Sequence, residues 1–151
     1  MIRKAKVGEA RAIQRLINTY AKEGLLLSRP LGEIYDNLRD FFLFVDGGRV
    51  LGVCALHICW EDLAEIRSLA VSEEARGKGV GRGLVEACLE EARQLEVRRV
   101  FLLTYIPDYF EKFGFRQVDK ASLPQKIWGD CLRCVKFPNC DELAMILDLE
   151  G

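Results

Sequence analysis

The stretch from Glu65 to Ala92 constrains this chain most, because strand, loop and helix signals follow one another there without a gap. Glu65-Ile66-Arg67-Ser68-Leu69-Ala70-Val71 reads as a strand. Ile66, Leu69, Ala70 and Val71 make an apolar run broken by Arg67 and Ser68, too short for a helix and bounded by polar residues. Arg76-Gly77-Lys78-Gly79-Val80-Gly81-Arg82-Gly83 is a loop rich in glycine and cations. After Gly83 the period becomes helical: Leu84, Val85, Cys88, Leu89 and Ala92 share one face, with Glu86, Glu90 and Arg93 on the other. The free N–H groups and positive dipole end of a helix start attract anions. Glycines let the backbone approach a phosphate with no Cβ in the way. Composition and context together make this loop a phosphate cradle.

A chain of 151 residues suits one domain, 1–151, with a substantial core. The net charge of −1 argues against a nucleic-acid surface. No apolar run approaches the roughly 20 residues of a membrane span, and Met1 leads into a charged segment, so no membrane partner and a cytoplasmic location are expected. Six cysteines without a secretory signal read as reduced thiols or ligands.

Taken in order, Ile2 to Lys6 reads as an edge strand and Glu9 to Glu23 as an amphipathic helix ended by Gly24. Leu25-Leu26-Leu27-Ser28-Arg29-Pro30 is a loop, and Leu31 to Asp40 a second helix with Ile34, Tyr35 and Leu38 inward. Phe41–Val45 and Val50–Trp60 form a hairpin around Asp46-Gly47-Gly48-Arg49, and Asp62–Val71 extends the meander. Arg98 to Thr104 is a buried strand suited to a parallel neighbour, Pro107 to Lys112 a short helix, and Leu143 to Leu149 a last strand suited to a homodimer edge. The order β-α-α-β-β-β-α-β-α-β is that of a single-domain α/β sandwich.

The loop is neither of two common phosphate binders. Lys78 is followed by Gly79, which breaks a Walker pattern, and glycines at 77, 79, 81 and 83 give no dinucleotide spacing. Arg76-x-x-Gly79-x-Gly81 resembles the pyrophosphate signature of the GNAT superfamily of acyl-CoA N-acyltransferases, and the element order is also that of the superfamily. The resemblance implies a mixed central sheet with splayed strands flanked by helices, and acetyl-CoA as cosubstrate. Three stretches are similar to the short stand-alone N-acetylglutamate synthase-type enzymes of bacterial arginine biosynthesis: residues 25–30, Trp60 to Val71, and the tail Cys131-x-x-Cys134-x-Lys136-Phe137-Pro138-x-Cys140-Asp141-Glu142. They imply acetyl transfer to the α-amine of L-glutamate. Other readings are a GNAT enzyme for another small amine or a protein N-terminus, a CoA-binding domain without catalysis, and a cysteine-based metal or redox sensor.

The resemblance assigns Arg76, Gly77, Lys78, Gly79, Val80, Gly81 and Arg82 to the pyrophosphate. It assigns Leu69, Ala70 and Val71 to pairing with the pantetheine arm. Glu65 stands where several such enzymes place a base; the competing reading is a solvated residue or ion-pair partner of Arg67. His57 is the only histidine and a second candidate base, against a plain strand-face polar group. The tyrosine that many of these enzymes use as general acid is replaced by Phe110 here; Tyr109 and Tyr105 are nearby but shifted, so the candidate acid is Tyr109, with a water as the alternative. A dicarboxylate calls for arginines, and Arg29 and Arg67 are the candidates, with Lys126 and Arg133 behind them. Arg67 alternates onto the face of Glu65. Cys131, Cys134 and Cys140 offer three ligands where a structural zinc takes four, so no metal is expected to be required.

Overall fold

The computed structural model describes residues 1–24, 26, 28–123 and 142–149. One mixed sheet of seven strands organises them: β1 (Ile2–Lys4), β2 (Phe41–Asp46), β3 (Arg49–Trp60), β4 (Leu63–Val71), β5 (Arg99–Thr104), β6 (Arg116–Val118) and β7 (Leu143–Asp148). The strand order is β1-β2-β3-β4-β5-β7-β6, antiparallel except for β4 against β5. Helices α1 (Ala10–Ala21) and α2 (Leu31–Asp36) cover one face; α3 (Val80–Gln94) and the short α4 (Pro107–Glu111) cover the other.

Each layer has its own core. Leu84, Val85, Cys88, Leu89 and Ala92 of α3 are buried against Cys54, Leu56, Ala64 and Ile66 of the sheet, joined by Phe110 of α4. On the other face Ala10, Ile13, Ile17 and Tyr20 of α1 meet Leu43, Val53, Ala55 and Ala70. Burying a large aliphatic side chain stabilises by roughly 1.5–3 kcal/mol. The α3 stripe alone therefore ties the glycine loop firmly to the sheet.

Several expectations need correction. The segment 31–40 is not one helix: α2 stops at Asp36, and a 3-10 turn, Leu38–Asp40, follows. Ile34 and Leu38 are buried, but Tyr35, about 100° round α2 from Ile34, is 43% exposed. Helix α3 begins at Val80 rather than after Gly83, since buried Val80 anchors its first turn despite the low helix propensity of Gly81 and Gly83. Strand β6 carries too little apolar pattern to be read, with only Val118 even half-buried. Its presence moves β7 to an interior position, so the last strand is not an edge that could build a dimer. Among the described residues no helix is long and apolar enough to cross a membrane.

The middle of β4 carries the local feature that shapes the cleft. Ala55 pairs with Arg67 but Val53 pairs with Ala70, so Ser68 and Leu69 together oppose Cys54 in a β-bulge. Ser68 takes up the extra residue with a φ of 60°, an uncommon conformation for a non-glycine residue. The bulge reverses the alternation of side chains. Ala64 and Ile66 face α3 before it, whereas Leu69 and Val71 face α3 after it and Ala70 faces α1.

Candidate active site

The parallel pairing of β4 with β5 is short. It runs Leu63 to Arg99, Ala64 to Val100 and Glu65 to Phe101, and ends there. Beyond Glu65 the two strands part, leaving an edge of β4 from Ile66 to Val71 that β5 does not cover. Ser72 N–H donates to Leu51 on the β3 side, so the Val71 carbonyl points the opposite way, toward the open side. By strand alternation the backbone groups of Leu69 and Val71 share that direction, while Ala70 pairs with Val53.

At the far end of this edge the glycine loop begins. Gly77 and Gly79 have φ values of 76° and 75°, in the left-handed region that glycine enters without strain. Among the described residues a Cβ at either would meet nothing within 4 Å, so the loop presents an open surface to them. Gly79 is the N-cap of α3, and the next N–H groups lack intrahelical acceptors. Gly81 and Gly83 are small for steric reasons: an added Cβ would lie 2.8 Å from the Tyr109 hydroxyl and 2.7 Å from Ile2 Cδ1, respectively. Arg82 is held by Glu86 at 2.9 Å on the exposed face, and Lys78 is exposed.

Arg76 folds back rather than lying over the glycines. Its guanidinium donates to the Tyr20 hydroxyl and stacks 5.3 Å from that ring's centroid, and its Nε lies 3.4 Å from the Val71 carbonyl. The Tyr20 hydroxyl donates to the same carbonyl. A guanidinium has five N–H donors, so others are left for an anion at the loop. In sequence, helical spacing places Tyr20 only on the apolar stripe of α1. Its polar end, at the mouth of a phosphate loop, is the signal that was missed.

Tyr109 lies on the α3 side, between the first turn of that helix and Val71, whose Cγ2 is 3.7 Å from the same Gly81 Cβ position. Its ring packs edge-on to Phe110 and Phe113 at 5.1 and 5.6 Å. Burial pushes its phenol above the ordinary tyrosine value, so it stays protonated at neutral pH. Phe110 is buried in the core. The Cys88 thiol behind this wall is raised well above the ordinary cysteine value by hydrogen bonding with Cys54 and by burial. Both are free, unreactive thiols.

Glu65 stands at the other end of the edge, six residues or about 20 Å from Val71 along the strand. It shares its face with Arg67, Nη1 to Oε1 being 3.6 Å, and each side chain is 14% exposed. His57 of β3 pairs in register with Glu65, and its Nδ1 lies 2.7 Å from Asp40 Oδ2. Asp40, from the 3-10 turn after α2, was read only as a helix end, since the register that brings it to His57 is tertiary. Arg29 packs against α1, its carbonyl accepting from Gln14 Nε2 at 3.4 Å and its Nη1 donating to Glu33 at 2.8 Å. Among the described residues its buried Nε has no hydrogen-bond partner. Lys126, Arg133, Cys131, Cys134 and Cys140 lie outside the described residues. Among the described residues no group of three or more His, Cys, Asp or Glu could hold a metal. A concavity of about 480 Å³ lined by Glu9, Arg15, Arg49 and Ser72 lies between α1 and the β2–β3 turn, away from Glu65.

A strand edge that no described residue covers, an open glycine loop and a helix N-terminus in line suit a long molecule with a pyrophosphate at one end and an amide-bearing arm, which is the form of coenzyme A. The comparisons agree. Residues 11–115 match the model of the acetyltransferase (GNAT) family. An uncharacterized N-acetyltransferase of Chlorobaculum tepidum is 43% identical, over 98% of this chain and 96% of its own. An amino-acid acetyltransferase of Mycobacterium tuberculosis is 32% identical, over 88% and 78%. The crystal structure of N-acetylglutamate synthase from Neisseria gonorrhoeae complexed with coenzyme A and N-acetyl-glutamate superposes with a TM-score of 0.90 at 25% identity, covering 100% of this chain and 35% of that one. The chain is a member of the GNAT acetyltransferase family, an N-acetyltransferase with acetyl-CoA as its cosubstrate.

Proposed function

We propose that this enzyme acetylates the α-amine of L-glutamate, a reaction of arginine biosynthesis. The observation that carries the reading is the Glu65–Arg67 pair, half-sheltered on one face of β4 at the point where β5 departs. A carboxylate there accepts the ammonium proton, and a guanidinium beside it offers two parallel donors to a carboxylate of the acceptor. Arg29, held by Glu33, supplies the second cation from the loop before α2. The similarity to an amino-acid acetyltransferase and to a synthase bound to N-acetyl-glutamate supports this choice of acceptor.

Acetyl-CoA supplies an activated acyl group and a thiolate leaving group. The chain's own residues divide the remaining work. The α3 N-terminus, Gly77 through Gly81 and Arg76 hold the pyrophosphate, with Lys78 and Arg82 adding positive charge. The outward backbone groups of Leu69 and Val71, with Ala70 keeping them in register against β3, pair with the pantetheine arm. An N–H fixed on this edge stabilises a developing oxyanion, an effect of roughly 3–4 kcal/mol in comparable sites. The Tyr109 phenol, on the donor side of the cleft, returns a proton to the departing thiolate.

Mass-spectrometric detection of acetylated product, with acetyl-CoA and a panel of amino acids, amines and peptide N-termini, tests the reading. N-acetylglutamate as the main product supports it. Product from glutamine, a polyamine or a peptide N-terminus instead overturns the choice of acceptor.

A further inference from the structure

One part of the site has no role in the scheme above: the partly buried pair Asp40–His57, whose His57 lies on β3 in register with Glu65. We propose that His57, oriented by Asp40, receives the proton that Glu65 removes from the acceptor amine and passes it to water. This rests on the acetyl-transfer reading, and His57 and Asp40 act through Glu65 as positioning residues for its proton.

The geometry sets the chemistry of the ring. A carboxylate only accepts, so with Asp40 Oδ2 at 2.7 Å it is Nδ1 that donates, and Nε2 of the neutral ring keeps its lone pair. Cross-strand partners hold their Cβ atoms about 5 Å apart on one face of the sheet, so the register of His57 with Glu65 makes the two side chains neighbours on that face. In the step, the N–H bond of the ammonium breaks as an O–H bond forms on Glu65. That O–H then breaks as Nε2–H forms, returning Glu65 to carboxylate for the next turnover. The imidazolium is stabilised by Asp40 and discharges to solvent. Exposure increases along this path, from 14% for the Glu65 side chain to 27% for that of His57, so the proton moves from the sheltered end toward water.

The charged groups facing the ring come from two elements. Asp40 contacts the ring from the turn after α2, and Glu65 and Arg67 of β4 lie on the same face of the sheet, Glu65 in register with His57. Arg39 is turned away, donating to the Ala5 carbonyl at 2.6 Å. Cys59 of the same strand donates to the His57 carbonyl, not to the ring.

The chain contains one histidine, so a 15N-edited spectrum of the imidazole reads this ring alone. The expected spectrum is the Nδ1–H tautomer, lost in Asp40→Asn, with an Nε2 resonance that moves in Glu65→Gln. In turnover, His57→Gln lowers kcat by about tenfold to a hundredfold, and both KM values stay within about twofold. Added imidazole restores rate to His57→Ala in proportion to its concentration, and restores none to Glu65→Gln. An Nε2–H tautomer, an Nε2 resonance blind to Glu65→Gln, or full turnover in His57→Gln would each overturn the proposal. If the wild type acetylates no amino acid, the acceptor assignment fails, and the ring spectra still decide whether Asp40, His57 and Glu65 are coupled.

Discussion

The two ends of the uncovered β4 edge are built from different materials. At Val71 the site is mostly backbone: strand amides, a loop held open by Gly77 and Gly79, and the N-terminus of α3, with Arg76 and Tyr20 fixed against the Val71 carbonyl. At Glu65 it is side chains, with Glu65, Arg67, His57 and Asp40 gathered on one face from two strands and a turn. Backbone recognition suits a partner that never changes, and side-chain recognition suits one that differs between relatives. The Ser68 bulge separates the two, since it turns Glu65 and Arg67 to one face and Leu69 and Val71 to the other.

The sharpest way to break this division is at Glu65. Glu65→Gln keeps the shape of the side chain and removes its basicity, so kcat falls by about 10²–10⁴-fold while acetyl-CoA binding is kept. Steady-state rates and calorimetric titration with CoA check both halves. Gly79→Val acts on the other end: a β-branched residue cannot take a φ of 75° without strain of about 1–2 kcal/mol, so the loop shifts and CoA binds about tenfold more weakly or worse. The acceptor's KM stays near the wild-type value. Ser68→Val strains the bulge by a similar amount and lowers Tm by several degrees, whereas Ser68→Gly does not. Thermal unfolding of the pair sharpens the claim that the bulge is a built feature.

The smallest effect lies outside both ends. Hydrogen bonds from Arg3, at 2.6 and 2.9 Å, hold the Glu9 carboxyl below the ordinary glutamate value. A depressed folded-state pKa means this contribution is present above the unfolded pKa and is lost as pH falls through the folded one. Glu9→Gln therefore flattens the acid side of the stability curve, read by urea unfolding at several pH values, and leaves both Michaelis constants unchanged.

The difference between the ends also explains what could be read before the structure was known. Alternation placed Glu65 and Arg67 on one face, and the helical period from Leu84 to Ala92 gave the buried stripe of α3. The glycine pattern identified the loop, but not that Gly81 and Gly83 are small because Tyr109 and Ile2 press on them. Those contacts join residues far apart in the chain and leave no local signal. The same holds for Asp40 beside His57 and for Tyr20 on Val71. The start of α3 was read four residues late because glycine lowers helix propensity, and tertiary packing of Val80 overrides that preference. Strand β6 is three residues long, too short to show a period.

The central claim is that donor and acceptor are recognised at separate ends of one strand. A crossed measurement of both Michaelis constants in Arg76→Ala and Arg67→Ala tests it most directly. Losing one charge-assisted contact weakens binding by roughly tenfold or more. The account predicts that Arg76→Ala raises KM for acetyl-CoA and leaves that for glutamate, and that Arg67→Ala does the reverse. Equal rises in both constants for either variant would contradict it.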